Sequence, residues 1–361
     1  MIQGIKQIYY SKYQLNPKAA LNAKSQNSPR YGALLRVDFE VYGTGYADCY
    51  PWQELGDLPL DEQLLFLAQN QLTPLTKKSI YFAEIDAQHR SKSTSVFSSL
   101  TFPKNHLIIP YESLNKEEII RIKLDGFDFI KLKFGKNLKK EVIFIKENYS
   151  ILKEKNIKLR LDFNSTISIN EAKSFFSEIK GQLDIIDFVE DSCEFIFKDW
   201  QEIQCEFDVH LALDRKPEEF KAGEKKYKDD SSPAFKVIVI KPAIEDSQSF
   251  FTTPPQQRVI FTSYMDHPLG QLCAIYEAES FYNKFPNKRE HCGFLTHSLF
   301  EPNQYSKHIK TEGSVLFAKL GAGFGFEDLL IKENWIPVSQ YLNQNPKQKN
   351  LNLVNRIKSN L

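Results

Sequence analysis

From residue 106 onward the chain alternates short apolar runs with segments of helical period. LIIP is followed by NKEEIIRIKL, FDFIKLKF by KKEVIFIKENY, IKLRLDF by INEAKSFFSEIK, IIDFVE by FKDWQEIQCEF and VHLALD by KPEEFKAGEKK. FKVIVIK then leads through a short connection to RVIFTSY and PLGQLCAIYEAESFY, and CGFLTHSLF comes last. Runs this rich in Ile, Val and Leu suit parallel strands covered on both faces, and the intervening segments place apolar residues on one helical face. Eight strand candidates in about 200 residues predict an α/β fold of the (β/α)8 type over 106–319. Before residue 105 the pattern differs. YGALLRVDFEVYGTGYADCY alternates apolar and polar positions around a Gly-x-Gly turn, and LPLDEQLLFLAQNQL and KSIYFAEIDAQHRSK have helical spacing, which predicts a small α+β domain over 1–105. Residues 320–361, GAGFGFEDLL and a polar Asn-rich tail, are expected to return to that first domain.

Five of the barrel strands end on a charge: Lys133, Asp162, Glu190, Asp214 and Lys241, spaced 24 to 29 residues apart. That spacing is one strand, one helix and two loops, so in a closed barrel all five meet at the mouth formed by the strands' C-terminal ends. Three carboxylates supplied singly from three strands would repel one another unless a cation lay between them, and hard oxygen donors suit Mg²⁺, with Mn²⁺ as a substitute. Asn164, two residues past Asp162, would point the same way and support it by a hydrogen bond. Lys131 and Lys133 alternate at i and i+2 and both face inward, with Lys241 across the mouth. Neighbouring cations lower a lysine's pKa, which suits a general base near neutral pH. A base beside a metal-held carboxylate reads as a site for removing an α-proton.

Composition narrows the partners. The chain has 361 residues, 42% hydrophobic, and Lys+Arg 47 against Asp+Glu 46 leave a net charge of +1, with no electrostatic footprint for nucleic acid or a membrane surface. No apolar stretch approaches the ~18 residues of a spanning helix, and MIQGIKQIYYSKY lacks a signal-peptide core, so a cytoplasmic location is expected. Five widely spaced cysteines without CxxC read as reduced thiols, and KAGEKKYKDD (221–230) as a solvated helix end. The expected partner is a small-molecule carboxylate; nothing in the sequence sets the oligomeric state.

The K-x-K of Lys131–Lys133, the D-x-N of Asp162–Asn164, Glu190, Asp214 and Lys241 together resemble the enolase superfamily, specifically its muconate-lactonizing subgroup. The resemblance implies a (β/α)7β-type TIM barrel with an N-terminal α+β capping domain. Within the subgroup, LRLDFN, VEDSCEF, LALDRK and FTSYMDHPLG are most similar to the o-succinylbenzoate synthase family of menaquinone biosynthesis. Such enzymes are Mg²⁺-dependent lyases that convert 2-succinyl-6-hydroxy-2,4-cyclohexadiene-1-carboxylate to o-succinylbenzoate by syn-dehydration. The resemblance implies that Lys133 removes the α-proton and protonates the departing hydroxide, that Lys241 stabilises the enediolate by charge and a cation–π contact, and that Asp162, Glu190 and Asp214 hold the metal. It assigns Lys131, Arg160, Thr262 and Ser263 to substrate. Arg215 stands where the family usually has Glu, and Ser192 where it usually has Pro.

Other readings compete. Two opposed lysines also suit N-acylamino acid racemisation or dipeptide epimerisation, although FLTHSLF lacks the acidic residues with which dipeptide epimerases grip an ammonium group. A non-catalytic barrel that serves as a binding protein is the third reading, and the clustered charge argues against it. An acid at a strand end can simply cap a helix, and Lys131 can be a structural cation. His297 reads as a satisfied loop or interior histidine. The glycines of GAGFGF have no βαβ unit after them to make a dinucleotide site. Asp48 and Trp52, in ADCYPWQE, are candidates for a lid over the mouth or for a plain turn.

Overall fold

The computed structural model describes residues 3–19, 21, 28–214, 234–245, 247, 256–318 and 321–341. Seven parallel strands follow one another in chain order: β4 (Leu107–Ile108), β5 (Phe129–Lys133), β6 (Lys158–Asp162), β7 (Ile186–Glu190), β8 (Leu211–Asp214), β9 (Val237–Ile240) and β10 (Arg258–Phe261). The circle closes through two residues: Cys292 bridges Asn105 and Gly293 bridges Thr262, with the Ser263 N–H donating to the Gly293 carbonyl at 3.1 Å. The eighth strand expected over CGFLTHSLF is thus cut short, because Leu295–Leu299 coil into a 3-10 helix in which the Ser298 hydroxyl donates to the Leu295 carbonyl at 2.8 Å. A hydroxyl that satisfies the backbone locally competes with strand pairing.

Helices run between the strands and pack outside them: α3 (Lys116–Leu124), α4 (Leu138–Glu154), α5 (Ile169–Glu178), α6 (Phe197–Phe207) and, after β10, α7 (Pro268–Lys284). Asn115, Asn137 and Ser168 cap the first three by accepting a backbone N–H three residues on, which sets where each helix starts. The helix expected over KPEEFKAGEKK, the run 221–230 and Arg215 lie outside the described residues. Phe188, Ala212, Val237, Val239 and Ile260 fill the barrel interior, whereas the larger core lies between strands and helices.

The cap is a four-stranded antiparallel sheet, β1 (Ile5–Leu15), β2 (Arg30–Phe39) and β3 (Gly43–Cys49), with β11 (Ile336–Pro337) pairing on the far side of β1. Helices α1 (Leu60–Ala68) and α2 (Pro74–Arg90) complete it. The Gly-rich stretch docks on α2: Asp86 accepts the Phe324 N–H at 2.6 Å, and Arg90 donates to the Gly325 carbonyl at 2.7 Å. Its glycines serve packing. Between cap and barrel, buried Lys78 of α2 pairs with buried Glu277 of α7 at 2.6 Å, and the Trp52 indole donates to the Tyr264 carbonyl at 2.7 Å. Asp48 accepts from the Tyr13 hydroxyl at 2.6 Å and the His267 N–H at 3.1 Å, which places it in this seam rather than in a lid. All five cysteines are unpaired. Among the described residues no helix is long and apolar enough to cross a membrane.

Candidate active site

The register of the parallel sheet sets the site. Lys133 at the end of β5 lies beside Asp162 at the end of β6, which lies beside Glu190 at the end of β7. Asp214 closes β8, and Lys241 follows β9. These five, with Lys131, line one cavity of about 350 Å³, roofed by Trp52 and Glu54 of the cap. Glu54 is held there by Arg30, whose guanidinium also lies 4.0 Å over the Trp52 ring.

The ammonium groups neutralise the acids. Lys131 donates to both oxygens of Glu190 at 2.7 Å and stands 3.1 Å from Asp162, while Lys241 pairs with Asp214. Burial disfavours charge on Lys131, but Asp162, Glu190 and Asp214 outweigh it and hold the ammonium well above its ordinary pKa. Lys131 is therefore the structural cation of the cluster as well as part of the cavity wall. Burial likewise works against Asp162, and Lys131 and Lys133 outweigh it, so that Asp162 stays below the usual carboxylate range. Asn164 supports Asp162 as expected, donating its side-chain N–H to Oδ1 at 2.8 Å and its backbone N–H at 3.1 Å.

Lys133 behaves differently. Among the described residues its amine donates to the carbonyl of Leu21 in the cap alone, and burial, with Lys131 and Lys241 adding to it, pushes its pKa down to about 8 against the pull of Asp162 and Glu190. The lowering expected from neighbouring cations is present, but burial leads it.

Burial pushes Glu190 up to about 7, with Asp162 and Asp214 raising it further, and burial followed by Asp214, Glu190 and Asp162 raises Asp191 well above the carboxylate range. Asp214 Oδ1 is buried without a partner among the described residues. Crowded oxygen acids and an orphaned carboxylate oxygen fit Mg²⁺. With the lysines seated on the acids, however, no three described His, Cys, Asp or Glu side chains form a metal cage. Lys131 and Lys241 would thus share with a dication the neutralisation of the three carboxylates.

Thr262 and Ser263 line the cavity; Thr262 Oγ1 is buried without a described partner, and Ser263 Oγ meets Thr296 Oγ1 at 2.5 Å. Arg160 does not reach the cavity wall. Two residues before Asp162 on β6, it lies one layer deeper, where it donates to Asp187 at 2.8 Å, to the His291 carbonyl at 2.7 Å and to His106 Nδ1 at 3.0 Å. Its expected contact with substrate is corrected on that ground. His297 sits in the 3-10 helix and is absent from the cavity wall, and Ser192 is fully buried behind Asp191. Sequence reasoning missed His106, Asp191 and Thr296, which all line the cavity. Asp191 was signalled by its place next to Glu190; His106, one residue before the first barrel strand, carried no signal beyond its type.

Over residues 8–89 the chain matches the family model for the N-terminal domain of O-succinylbenzoate synthase. It is 32% identical over 332 residues to the curated o-succinylbenzoate synthase of Bdellovibrio bacteriovorus, covering 91% of this chain and 97% of that protein. The chain belongs to the o-succinylbenzoate synthase family. As a member of this branch of the enolase superfamily it is an enzyme of the carbon–oxygen lyase class. Solved structures support the fold across the superfamily. The dipeptide epimerase from Cytophaga hutchinsonii, complexed with Mg and the dipeptide D-Ala-L-Val, superposes with a TM-score of 0.71 at 15% identity, over 92% of this chain and 99% of that one. The muconate lactonizing enzyme from Pseudomonas fluorescens, complexed with muconolactone, gives 0.67 at 13% identity, over 94% and 98%.

Proposed function

We propose that this synthase-family enzyme dehydrates 2-succinyl-6-hydroxy-2,4-cyclohexadiene-1-carboxylate to o-succinylbenzoate, the aromatic acid of menaquinone biosynthesis. In this reading residues 106–319 are the catalytic barrel, and 1–105 with 321–341 form the cap; the rest of the segment 320–361 lies outside the described residues. Asp162, Glu190 and Asp214 would hold Mg²⁺, which when bound polarises the substrate carboxylate and makes its α-proton more acidic. The neutral Lys133 amine takes the α-proton, and the electron pair passes into the carboxylate. The pair then returns to form a ring double bond as the bond between the hydroxyl oxygen and its ring carbon breaks, and Lys133 gives that proton to the departing hydroxide, which leaves as water. The ring becomes aromatic, and the use of one amine for both steps makes the elimination syn. Lys241 offsets the charge developing on the carboxylate from the other side, Lys131 keeps the acid cluster ionised, and Thr262 and Ser263 orient the substrate.

One observation carries this reading: two lysines and three strand-end acids share one cavity, and Lys133, which makes no ion pair among the described residues, is the lysine pushed down to about 8. The test is to supply Mg²⁺ and the cyclohexadiene carboxylate and to identify the product by mass spectrometry. Formation of o-succinylbenzoate with loss of one water supports the reading. Unchanged substrate, together with α-proton exchange on N-succinylamino acids in D₂O, would replace it with the racemase reading, since Lys133 and Lys241 both reach the cavity.

A further inference from the structure

His106 Nε2 and Thr262 Oγ1 are two buried polar atoms on the cavity wall with no partner among the described residues. They lie on the side closed by β4, β10 and Gly293, across the mouth from the acids of β6, β7 and β8. A Cβ placed on Gly293 would stand 2.8 Å from His106 Nε2 and Cε1 and 2.8 Å from Thr262 Cγ2, so the ring edge and the threonine are neighbours across a residue with no side chain. The His106 backbone is pinned by its N–H to the Cys292 carbonyl at 2.8 Å.

The tautomer of His106 follows from its other contact. Arg160 Nη1 lies 3.0 Å from His106 Nδ1, and a guanidinium only donates, so Nδ1 accepts and the proton of the neutral ring sits on Nε2. Burial, then the charges of Arg160 and Lys131, keeps the ring from gaining a second proton. Arg160 is itself fixed by Asp187 and the His291 carbonyl. The result is a neutral N–H donor facing the cavity, which can hold an oxygen without adding charge to an already charged site.

We propose that His106 is a substrate-binding residue whose Nε2–H donates to an acceptor oxygen on the substrate's succinyl arm, beside Thr262, and that Arg160 is a positioning residue that fixes its tautomer. The identity of that arm rests on the dehydratase reading above. The carboxylate on the ring belongs with the lysines and acids on the far wall, which leaves the arm's ketone or terminal carboxylate for this one.

The test compares His106→Leu with His106→Gln, whose amide can accept from Arg160 and donate in the place of Nε2. His106→Leu is expected to raise KM roughly ten- to hundredfold with little change in kcat, as loss of a buried hydrogen bond implies, and His106→Gln to stay within about threefold of wild type. Binding of o-succinylbenzoate, 2-pentanoylbenzoate and 2-pentylbenzoate separates the two oxygens: the His106→Leu penalty vanishes with the second compound if the terminal carboxylate is the acceptor, and only with the third if it is the ketone. An equal penalty on all three, or an unchanged KM, overturns the proposal. ¹⁵N spectra of histidine-labelled wild type should show the Nε2–H tautomer, and Arg160→Lys should mix the tautomers and raise KM; an Nδ1–H signal in wild type would also overturn it. If wild type neither binds o-succinylbenzoate nor turns over the precursor, the dehydratase reading fails instead, and the spectra still decide the tautomer.

Discussion

Only the neutral form of Lys133 can accept a proton, so its pKa sets how much active base is present. With the ordinary value of 10.5 lowered to about 8, the neutral fraction at pH 7 is about 9% instead of about 0.03%, a gain of roughly 300-fold. The single-turnover rate of substrate loss, measured from pH 6 to 9.5 at saturating Mg²⁺, should therefore rise about tenfold per pH unit and level off near pH 8. Because the Lys241 charge is one of the causes of the lowering, Lys241→Met should move that limb to higher pH as well as reduce the plateau. The position of the limb is read independently of the plateau height, so a weakened variant still reports it. A wild-type rate still climbing at pH 9.5, or a limb that Lys241→Met leaves in place, would refute the argument.

Three further outcomes follow from the packing and the acid cluster. Lys78→Met removes the ammonium partner of the buried Glu277 carboxylate across the cap–barrel seam, leaving it the Ser247 N–H and hydroxyl as donors, and denaturant unfolding should show a loss of about 3 kcal/mol. Gly323→Ala forces a residue with φ +60° to carry a Cβ 2.0 Å from Asp86 Oδ1, and should cost about 2 kcal/mol or more in the same assay. Asp214→Asn removes charge from the carboxylate whose Oδ1 has no described partner, and calorimetry should show Mg²⁺ binding weakened roughly tenfold or more.

The barrel was legible because parallel strands buried on both faces read as unbroken Ile, Val and Leu runs, and because side-chain period then fixes which residues face inward. That logic brought Lys131, Lys133, Asp162, Glu190, Asp214 and Lys241 to one cavity. It failed where a local competitor or depth decided. CGFLTHSLF has strand composition, yet its Ser298 hydroxyl satisfies the backbone in a 3-10 turn. β1 was missed because its eleven residues have no long apolar run; its order comes from pairing with β2 and β11. Arg160 shares the inward face with Asp162, but alternation alone does not say which layer meets substrate and which meets Asp187. His106 became visible only when the closure of the barrel brought Gly293 and Arg160 against its ring.

Abstraction of the α-proton by Lys133 is most directly tested by single turnover of precursor deuterated at the carbon that bears the carboxylate. Wild type should slow several-fold relative to protiated substrate, and Lys133→Ala should give no product with either. Equal rates for the two isotopologues, with Lys133→Ala still forming o-succinylbenzoate, would contradict the account.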